Sequence, residues 1–384
     1  MDPIIILGTG LAGYGTAREL RKHDSETPLV LITRDDGASY YKPDLSEAHA
    51  KDAAPEDLVK RDAEAMAADL DAEIMTHRQV EAIDPAAHTV SLNGETRTYR
   101  KLVLANGAEP IVLNLGGDAV QSIHKVNTLA DYRVFRGNLV EGGHVAIIGA
   151  GLIGCEFAND LIGAGYDVSV IDPAGWPLSQ LLPKDCGRAV KQALGRAGVS
   201  WYLGRAAVGV HDASGQRQVV LDDDDSVHAD VVLSAVGLRA DTELAEAAGL
   251  AVDRGVLVDR TLVTSDPDIY ALGDCAEVDG HWRPYVGPLM QCARTLGKTL
   301  AAGEGDTTGQ VKYPTLPIIV KTHVCPVIVY PPVDRHGEWA VEGSGTDLEA
   351  RFVDEDGALQ GFALTGEATN KRRDYLKEAP PLMD

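Results

Sequence analysis

The sequence of 384 residues lacks the cysteine pattern of a thiol-based or disulfide-stabilised protein. No two of its five cysteines form a CxxC or CxxxxC pair, and the count is odd; they are Cys155, Cys186, Cys275, Cys292 and Cys325. This spacing argues against a disulfide framework and against a two-cysteine redox centre. We therefore expect five small buried hydrophobic residues and no metal site.

Positive charge is scarce, since 35 basic residues face 58 acidic ones and the net charge is −23. This bias disfavours nucleic-acid binding, which needs cations to neutralise phosphates, and binding to a membrane surface through a polybasic patch. The most apolar stretch, residues 318–333, contains Lys321, Pro326 and Pro331 and cannot span a bilayer. Because no basic segment precedes the apolar run at 3–7, no secretory signal is expected. The sequence predicts a cytoplasmic protein that binds neither nucleic acid nor membrane.

A glycine-rich turn lies between the apolar run at 4–7 and a helical pattern. It reads Gly8, Thr9, Gly10, Leu11, Ala12 and Gly13. In such a turn the first glycine permits the bend, the second lets the backbone approach a pyrophosphate, and the third lets the helix pack on the strand. The helix start supplies free N–H groups and partial positive charge. Its context, strand then turn then helix, indicates a dinucleotide site.

The acidic residue that usually meets the ribose is absent where the next predicted strand ends. Thr33 and Arg34 stand there, and Asp35 and Asp36 follow. Arg34 could stack on adenine. Which side chain reaches the ribose stays open.

A second turn of the same kind contains Gly149, Gly151 and Gly154. The following strand ends in Asp172, 18 residues after Gly154, which is close to the ~20 expected for a carboxylate that accepts the ribose 2′-hydroxyl. Asp172 would repel a 2′-phosphate, and residues 172–178 contain no Lys or Arg, so NADH is favoured over NADPH. The alternative for Asp172 is a turn-forming residue before a proline.

Glu156 falls two residues after Gly154, near the start of the predicted helix. There it would gain from the helix dipole and could face a nicotinamide amide. The alternative is an ordinary solvated position on a surface helix.

Two later strands complete the pattern of a flavin site. One spans 101–105 and ends in small residues, and the other ends in Gly273-Asp274 before a helix predicted around 288–300. A carboxylate at the carboxyl end of a parallel strand points into the ligand crevice, where Asp274 could accept bonds from ribityl hydroxyls.

From end to end the chain resembles the flavoprotein reductases with two dinucleotide domains, and within them the NADH:rubredoxin reductases of bacterial alkane metabolism. The strings that carry the resemblance are GTGLAGY, SYYKPDLS, GAGLIGCEFANDL, SAVGLRADTELA, TSDPDIYALGDCAEVDG, VKT and VEGSGTDL. The superfamily shares the nucleotide motifs, whereas GCEFANDL, VKT and GSGTDL suggest the narrower group.

The resemblance implies an α/β fold with two Rossmann-like dinucleotide-binding domains in glutathione-reductase-like topology, plus a small C-terminal α+β domain. The FAD-binding domain would comprise residues 1–110 and 240–315. The NADH-binding domain would comprise 111–239, and the C-terminal domain 316–384.

It also implies site residues for both cofactors, FAD and NADH. Lys42 would reach the flavin diphosphate or ring, Val80 would touch adenine through its backbone, Asp274 would bind the ribityl chain, and Val286 would lie beside the isoalloxazine. The full cofactor-binding set comprises Gly8, Thr9, Gly10, Leu11, Ala12, Gly13, Thr33, Arg34, Lys42, Val80, Ala105, Gly149, Gly151, Ile153, Gly154, Glu156, Asp172, Gly237, Asp274, Val286 and Lys321.

The chain departs from many relatives at Glu47. They have a lysine there, beside the flavin and paired with the glutamate that matches Glu156. We expect Lys321 to take over as the cation near the ring, so Lys321 and Glu156 are the candidate catalytic residues. The alternative is a structural place for Lys321 in the core or at the surface.

The missing cysteine pair and the missing single reactive cysteine imply that electrons leave the flavin directly. A flavin accepts a hydride and releases electrons singly, so a one-electron carrier, rubredoxin, is the expected partner. Alternatives are a ferredoxin reductase or a related electron-transfer flavoprotein and, with less support, a flavin-bound signalling or binding protein. The cationic run at 371–377 could guide docking or could be a helix end stabilised by cations.

Overall fold

The first nucleotide-binding sheet begins in residues 2–110. The computed structural model describes residues 2–302, 309–334 and 336–384. The first segment forms β1 (Ile4–Leu7), β2 (Leu29–Ile32), β3 (Ser39–Tyr40), β4 (Val59–Arg61), β5 (Glu73–Met75), β6 (Val80–Asp84), β7 (Thr89–Leu92), β8 (Glu95–Thr98), β9 (Lys101–Leu104) and β10 (Ala108–Pro110), with helices α1 (Leu11–Arg21) and α2 (Ala63–Leu70). Strands β1, β2, β5 and β9 are parallel, and the Ile, Leu and Val side chains of β1 and β2 are buried throughout, as strands covered on both faces require.

The second nucleotide-binding sheet lies in the middle of the chain. Its segment forms α3 (Leu129–Asn138), β11 (His144–Ile148), α4 (Leu152–Gly163), β12 (Asp167–Asp172), α5 (Lys184–Arg196), β13 (Val199–Leu203), β14 (Ala207–Ala213), β15 (Gln216–Leu221), β16 (Ser226–Ala229), β17 (Val231–Ser234) and β18 (Leu238–Ala240). The parallel sheet has the order β13-β12-β11-β17, and β14, β15 and β16 form an antiparallel sheet. β11, α4 and β12 thus repeat the strand, helix and strand order of β1, α1 and β2.

Two strands connect these sheets and lie side by side. β10 pairs with β18 in antiparallel register, with Ala108 opposite Ala240 and Pro110 opposite Leu238. The chain leaves the first sheet along β10 and returns along β18. The predicted domain limits at 110/111 and 239/240 fall on this pair.

The chain then returns to the first sheet. It forms α6 (Glu243–Ala247), β19 (Val256–Val258), β20 (Ile269–Ala271), β21 (Ala276–Val278), β22 (His281–Trp282) and α7 (Val286–Ala301). β20 pairs in parallel with β9 and completes the order β20-β9-β1-β2-β5. α7 lies against α1, where a Cβ added to Gly297 would stand 2.8 Å from the backbone of Glu19. The helix predicted at 288–300 therefore begins two residues earlier, at Val286, because Tyr285 already serves as its N-cap.

The last segment forms an antiparallel sheet covered by one helix. Its elements are β23 (Ile318–Val320), β24 (Val327–Tyr330), β25 (Glu338–Ser344), β26 (Asp347–Val353), β27 (Leu359–Thr365) and α8 (Arg372–Glu378), and the strand order is β23-β24-β27-β26-β25. One face shares a hydrophobic core with α5 of the second nucleotide domain, and the other packs beneath Tyr375 of α8. The predicted fold class, α/β with two Rossmann-like domains and a C-terminal α+β domain, is confirmed.

The end of the chain contacts the core of the first nucleotide domain. The backbone N–H of Leu382 donates to the carbonyl of Tyr313 (2.9 Å), and Met383 is buried in the core of the first nucleotide domain. Apolar burial therefore places these final residues against the first nucleotide-binding sheet.

Candidate active site

The first glycines of the two turns have the same geometry. Gly8 has φ +109° and Gly149 has φ +111°, values in the left-handed region that side chains rarely adopt. A Cβ on either glycine would stand 2.4 Å from a carbonyl oxygen, that of Ala105 or that of Ala235. Ala105 was in the predicted set, and its counterpart Ala235 was not. Both turns require glycine for the protein's own packing.

The third glycines let each helix pack on its strand. A Cβ on Gly13 would stand 1.9 Å from the carbonyl oxygen of Gly8, and one on Gly154 would stand 2.0 Å from that of Gly149. Leu11 and Ala12 begin α1 beside this contact, as Ile153, 41% exposed, does in α4.

The middle glycines point to ligands. Gly10 and Gly151 are the N-caps of α1 and α4, with φ values of −73° and −74° that any residue can adopt. Apart from each glycine and its two chain neighbours, no atom within residues 2–302, 309–334 and 336–384 lies within 4 Å of a Cβ placed on either glycine. The free space faces unpaired N–H groups at the helix start, which is the donor set that a diphosphate requires. The residues present therefore fit a dinucleotide at each turn.

Asp172 lies against the second turn. One carboxylate oxygen accepts from the backbone N–H of Ala150 at 2.7 Å and the other from that of Ala174 at 2.7 Å. Asp172 thus forms the local turn and also contacts the glycine loop, so the two sequence interpretations are compatible. Arg205 is the nearby cation, but its guanidinium pairs with Asp223 (3.0 Å) and Asp225 (2.9 Å).

In the first domain the corresponding carboxylate is Asp35, which the sequence left undecided. Thr33 occupies the same position in the first domain as Asp172 does in the second. The backbone N–H of Gly8 donates to the carbonyl of the residue before Thr33, and that of Gly149 donates to the carbonyl of the residue before Asp172, both at 2.8 Å. Asp35 accepts from the hydroxyl of Thr33 at 2.6 Å and lies 3.4 Å from that of Thr9. Its signal in the sequence was a carboxylate three residues beyond the end of β2, and the threonine at the expected position concealed it.

Arg34 and Val80 lie on either side of this region. Arg34 forms an exposed ion pair with Glu109 at 2.5 Å, which directs its guanidinium toward the start of the connecting strands. Val80 is buried at the start of β6, just after Arg78, whose backbone N–H donates to the carbonyl of Thr33 at 2.9 Å. The backbone at Val80 therefore lies close to the end of β2.

Lys42 and Asp274 carry opposite charges within the first domain. Lys42 donates to the side-chain oxygen of Asn127 at 2.6 Å. Burial lowers the pKa of Lys42 and raises that of Asp274, and each charge opposes the effect of burial on the other. The Asp274 carboxylate accepts no hydrogen bond from any residue that the structure describes. A half-buried carboxylate in this state fits hydroxyl donors of a ligand.

Glu156 and Lys321 meet where the three parts of the chain come together. Glu156 is 1% exposed and accepts from the hydroxyl of Ser46 at 2.5 Å and from the backbone N–H of Lys321 at 2.9 Å. The ammonium of Lys321 lies 3.4 Å from the same carboxylate, donates to the hydroxyl of Ser46 at 3.2 Å, and also donates to the carbonyl of Pro43. The surface-helix alternative for Glu156 is wrong, because the helix face that carries it is covered by the other two domains.

Gly237 and Val286 complete the placement of the predicted set. Gly237 has φ +109° just before β18, and its carbonyl accepts from the backbone N–H of Ile111 at 3.0 Å. Val286 is the first residue of α7 and is half-buried. Gly237 lies where the chain returns from the second nucleotide domain to the first. Val286 lies at the start of the helix that packs against α1.

Helix α4 holds its neighbours through two further polar residues that the sequence analysis missed. Asp160, 2% exposed, accepts from the backbone N–H groups of His49 (3.0 Å) and Ala50 (2.9 Å). Asn159 accepts from the backbone N–H of Val324 at 3.2 Å. Together with Glu156 they occupy one helix face at i, i+3 and i+4, a polar stripe in an otherwise apolar helix that could have indicated the contact.

Asp160 gives a pH-dependent contribution to stability. Burial raises its pKa to about 6, against the opposing effect of the two backbone hydrogen bonds. The folded protein therefore binds this proton more tightly than the unfolded chain, so Asp160 adds stability as the pH falls through about 6 and loses that contribution as the pH rises. Protonation of Asp160 should raise the free energy of unfolding of the wild type when the pH is lowered from 8 to about 5.5. In Asp160→Asn this increase is expected to be smaller by about 1 kcal/mol.

Urea denaturation of the flavin-loaded protein at both pH values measures this change. Asp167→Asn, at an exposed position of the same domain, is the control. An identical pH dependence in the wild type and Asp160→Asn would contradict the assignment.

The five cysteines are free and buried. Burial raises the pKa of Cys186 and Cys275 to about 12 and that of Cys292 and Cys325 to about 11, and it raises that of Cys155 as well. All five thiols are therefore protonated at neutral pH, which makes them poor nucleophiles.

Two further features are absent from residues 2–302, 309–334 and 336–384. Neither a group of three or more His, Cys, Asp or Glu side chains placed to hold a metal ion nor a helix long and apolar enough to cross a membrane was found.

The fold and the site define a flavoprotein reductase with two dinucleotide sites. Residues 2–297 match the family described as pyridine nucleotide-disulphide oxidoreductase, and residues 310–379 match the rubredoxin binding C-terminal domain. The chain belongs to the pyridine nucleotide-disulphide oxidoreductase family.

Full-length relatives and a solved structure show the same relationship. The chain is 46% identical to the rubredoxin-NAD(+) reductase of Alcanivorax borkumensis, over 100% of both chains. It is 43% identical to the rubredoxin-NAD(+) reductase of Acinetobacter baylyi, over 99% of this chain and 98% of that one. A ferredoxin reductase for the CYP199A2 system from Rhodopseudomonas palustris is 26% identical with a TM-score of 0.88, covering 99% of this chain and 96% of that one.

Proposed function

We propose that the protein is an FAD-dependent reductase that passes electrons from NADH to the one-electron carrier rubredoxin. The observation that carries the proposal is the match of residues 310–379 to a rubredoxin-binding domain whose Lys321 contacts Glu156 of the second nucleotide domain. The acceptor-binding part of the chain thus contributes a charge to the junction between the two cofactor sites.

The first nucleotide domain would hold FAD. In this proposal it comprises residues 1–110 and 240–315. Gly10 leaves room for the diphosphate, Asp35 lies beside the turn, and Asp274 offers an unoccupied acceptor to the ribityl hydroxyls. Bound flavin supplies the chemistry of accepting a hydride and releasing single electrons.

The second nucleotide domain, residues 111–239 in this proposal, would hold NADH. Gly151 leaves room for its diphosphate, and Asp172 would accept from the ribose hydroxyl with lone pairs that its two backbone hydrogen bonds leave free. A 2′-phosphate would meet the Asp172 charge, while Arg205 is held by its own carboxylates. These contacts favour NADH over NADPH.

The catalytic pair would act by position and charge. The buried Glu156 fixes the backbone of Lys321, and Ser46 and Pro43 hold its ammonium group. The arrangement replaces the cation that relatives have at position 47, since here Glu47 stands there. Lys321 would balance negative charge that develops on the ring, which costs little reorganisation because the cation is held in place beforehand.

The wider setting of the reaction is also a proposal. We place the protein in the cytoplasm, where it would supply reduced rubredoxin for alkane hydroxylation. The organisms of the two rubredoxin-NAD(+) reductases, Alcanivorax borkumensis and Acinetobacter baylyi, support this setting.

A ferredoxin reductase is the second candidate, favoured by the similarity to the Rhodopseudomonas palustris structure. An anaerobic assay of NADH-driven reduction of purified rubredoxin and of a [2Fe–2S] ferredoxin separates the two. We expect fast transfer to rubredoxin. Fast transfer to the ferredoxin alone would overturn the assignment.

The cations before and within α8 are candidates for rubredoxin docking. The helix-end alternative describes Lys377, which lies in the last turn of α8, but not Arg372 and Arg373, which lie at its N-terminal end, where positive charge is disfavoured. Lys371 pairs with Glu349 at 2.6 Å, whereas Arg372 and Arg373 are exposed and form no ion pair within the described residues. Two uncompensated cations on a chain of net charge −23 offer an acidic carrier a local site.

Reversing both charges, Arg372→Glu with Arg373→Glu, is expected to raise the KM for rubredoxin by about tenfold and to leave the KM for ferricyanide unchanged, because only the protein acceptor must dock. Steady-state assays with each acceptor at low salt measure this. The matched control reverses Lys60 and Arg61, two exposed cations of β4. Equal effects on both acceptors, or an equal effect of the control, would contradict docking at α8.

A further inference from the structure

The proposed reaction, on which this inference rests, leaves one proton to be removed. NADH and two oxidised rubredoxins give NAD⁺, two reduced rubredoxins and one H⁺, because each carrier takes an electron and no proton. The hydride brings two electrons and one proton to the junction of the two cofactor sites. The electrons leave to the carriers, so the proton must reach solvent by another route.

A line of ionisable side chains runs from this junction to the surface. The ammonium of Lys321 lies 3.4 Å from the carboxylate of Glu156 and 3.9 Å from that of Glu47. The other oxygen of Glu47 lies 3.6 Å from Nε2 of His323. Each step can be closed by one intervening water or by a small rotation of a side chain.

The two ends of the line differ in exposure as an exit route requires. The side chains of Glu156 and Glu47 are 1% and 11% exposed, and that of Lys321 is 22% exposed. The imidazole of His323 is 67% exposed. The line therefore begins at a buried carboxylate and ends at the side chain type that exchanges protons with water near neutral pH.

We infer that Glu47 and His323 form the exit for this proton, with Lys321 linking them to the buried Glu156. Glu47, which stands where relatives carry a lysine, thus has a role of its own. A carboxylate at this position can accept a proton directly, whereas an ammonium group has no lone pair and must first donate one.

The transfer is balanced at each residue. Glu156 takes up the proton, and Lys321 first gives one of its own protons to Glu47. The neutral amine of Lys321 then accepts the proton from Glu156, and Glu47 gives its proton to His323. His323 releases a proton to water, and all four side chains return to their starting charge. No electron moves in these steps.

The surrounding charges keep Glu47 in place. Lys51 contacts the same carboxylate at 2.9 Å from one turn further along the chain. Asp160 of α4 is an acidic neighbour of Glu47, and the charge of Asp44 acts on the ammonium of Lys51. Among the basic side chains that the structure places within 4.0 Å of Glu47, His323 is the most exposed, at 67% against 57% for Lys51 and 22% for Lys321. Its imidazole is also the group that exchanges protons with water near neutral pH.

Proton release measured separately from electron transfer tests the inference. The flavin-loaded enzyme is reduced with NADH without air and then mixed with oxidised rubredoxin in weak buffer containing a pH-indicator dye. In His323→Gln and Glu47→Gln we expect dye-detected proton release to slow by about tenfold or more. Added imidazole should restore the rate in His323→Gln, since a small base can replace the lost side chain, and it should restore less in Glu47→Gln.

The controls separate this inference from the proposed function. His228→Gln, an exposed histidine of β16, should release its proton at the wild-type rate. The series is repeated with ferricyanide as the electron acceptor. If rubredoxin did not react but ferricyanide did, the assignment of rubredoxin as acceptor would be wrong, while the exit route could still be tested with ferricyanide. Wild-type proton release in both exit variants, or slow release that imidazole does not restore in His323→Gln, would overturn the exit route.

Discussion

Gly151→Ala is expected to raise the KM for NADH by more than about tenfold while the protein keeps its full content of flavin. The backbone of Gly151 has φ −74°, which alanine adopts without strain, and apart from this residue and its two chain neighbours no atom of the described residues lies within 4 Å of the added methyl. The protein itself therefore tolerates the change. The methyl would occupy the space that the diphosphate of NADH requires at the start of α4.

The matching variant in the first domain, Gly10→Ala, should have the complementary effect. Gly10 has the same open surroundings at the start of α1, so we expect a folded protein with much less bound FAD. The ratio of flavin to protein absorbance and the steady-state KM for NADH measure both effects. Gly137→Ala, an equally open glycine of α3, is the control. If neither variant affected its own cofactor, the two turns would not be the dinucleotide sites.

Lys321→Met is expected to slow flavin reduction by NADH by more than about tenfold and to lower the flavin midpoint potential. The ammonium group of Lys321 is held by Ser46 and Pro43 next to the buried Glu156. Its removal would leave the negative charge of Glu156 without a paired cation. It would also remove the positive charge that stabilises the reduced flavin, which lowers the midpoint potential. Anaerobic stopped-flow absorbance and a redox titration measure the two quantities.

Lys321→Arg provides the comparison for this variant. It keeps the positive charge, so most of the potential should return, although the planar guanidinium will not reproduce every contact of the ammonium group. An unchanged potential and an unchanged reduction rate in Lys321→Met would assign Lys321 a structural place only.

Local geometry explains what the sequence could predict. A strand, a glycine turn and a helix lie within about twenty residues of one another, so Gly8, Gly13, Gly149 and Gly154 could be placed from spacing alone. The same holds for Asp172, which ends the strand that follows the second turn. These features depend on backbone contacts between residues that are close in the sequence, so the sequence alone predicts them.

The rest depended on contacts between distant segments. Glu156 was open to a surface interpretation because its partners, Ser46 and Lys321, lie 110 and 165 residues away in the chain. The role of Asp160 required knowing which loop covers α4, and no local pattern reveals that. The cationic run at 371–377 was left open between docking and a helix end, because spacing does not tell at which end of a short helix each cation falls.

The most direct test of the whole account is an anaerobic cycle observed through the flavin absorbance. One equivalent of NADH should bleach the yellow protein, and two equivalents of oxidised rubredoxin should restore the colour while the rubredoxin becomes reduced. A protein that stays colourless after reconstitution with FAD, that keeps its colour in the presence of NADH, or that is not reoxidised by rubredoxin would contradict it.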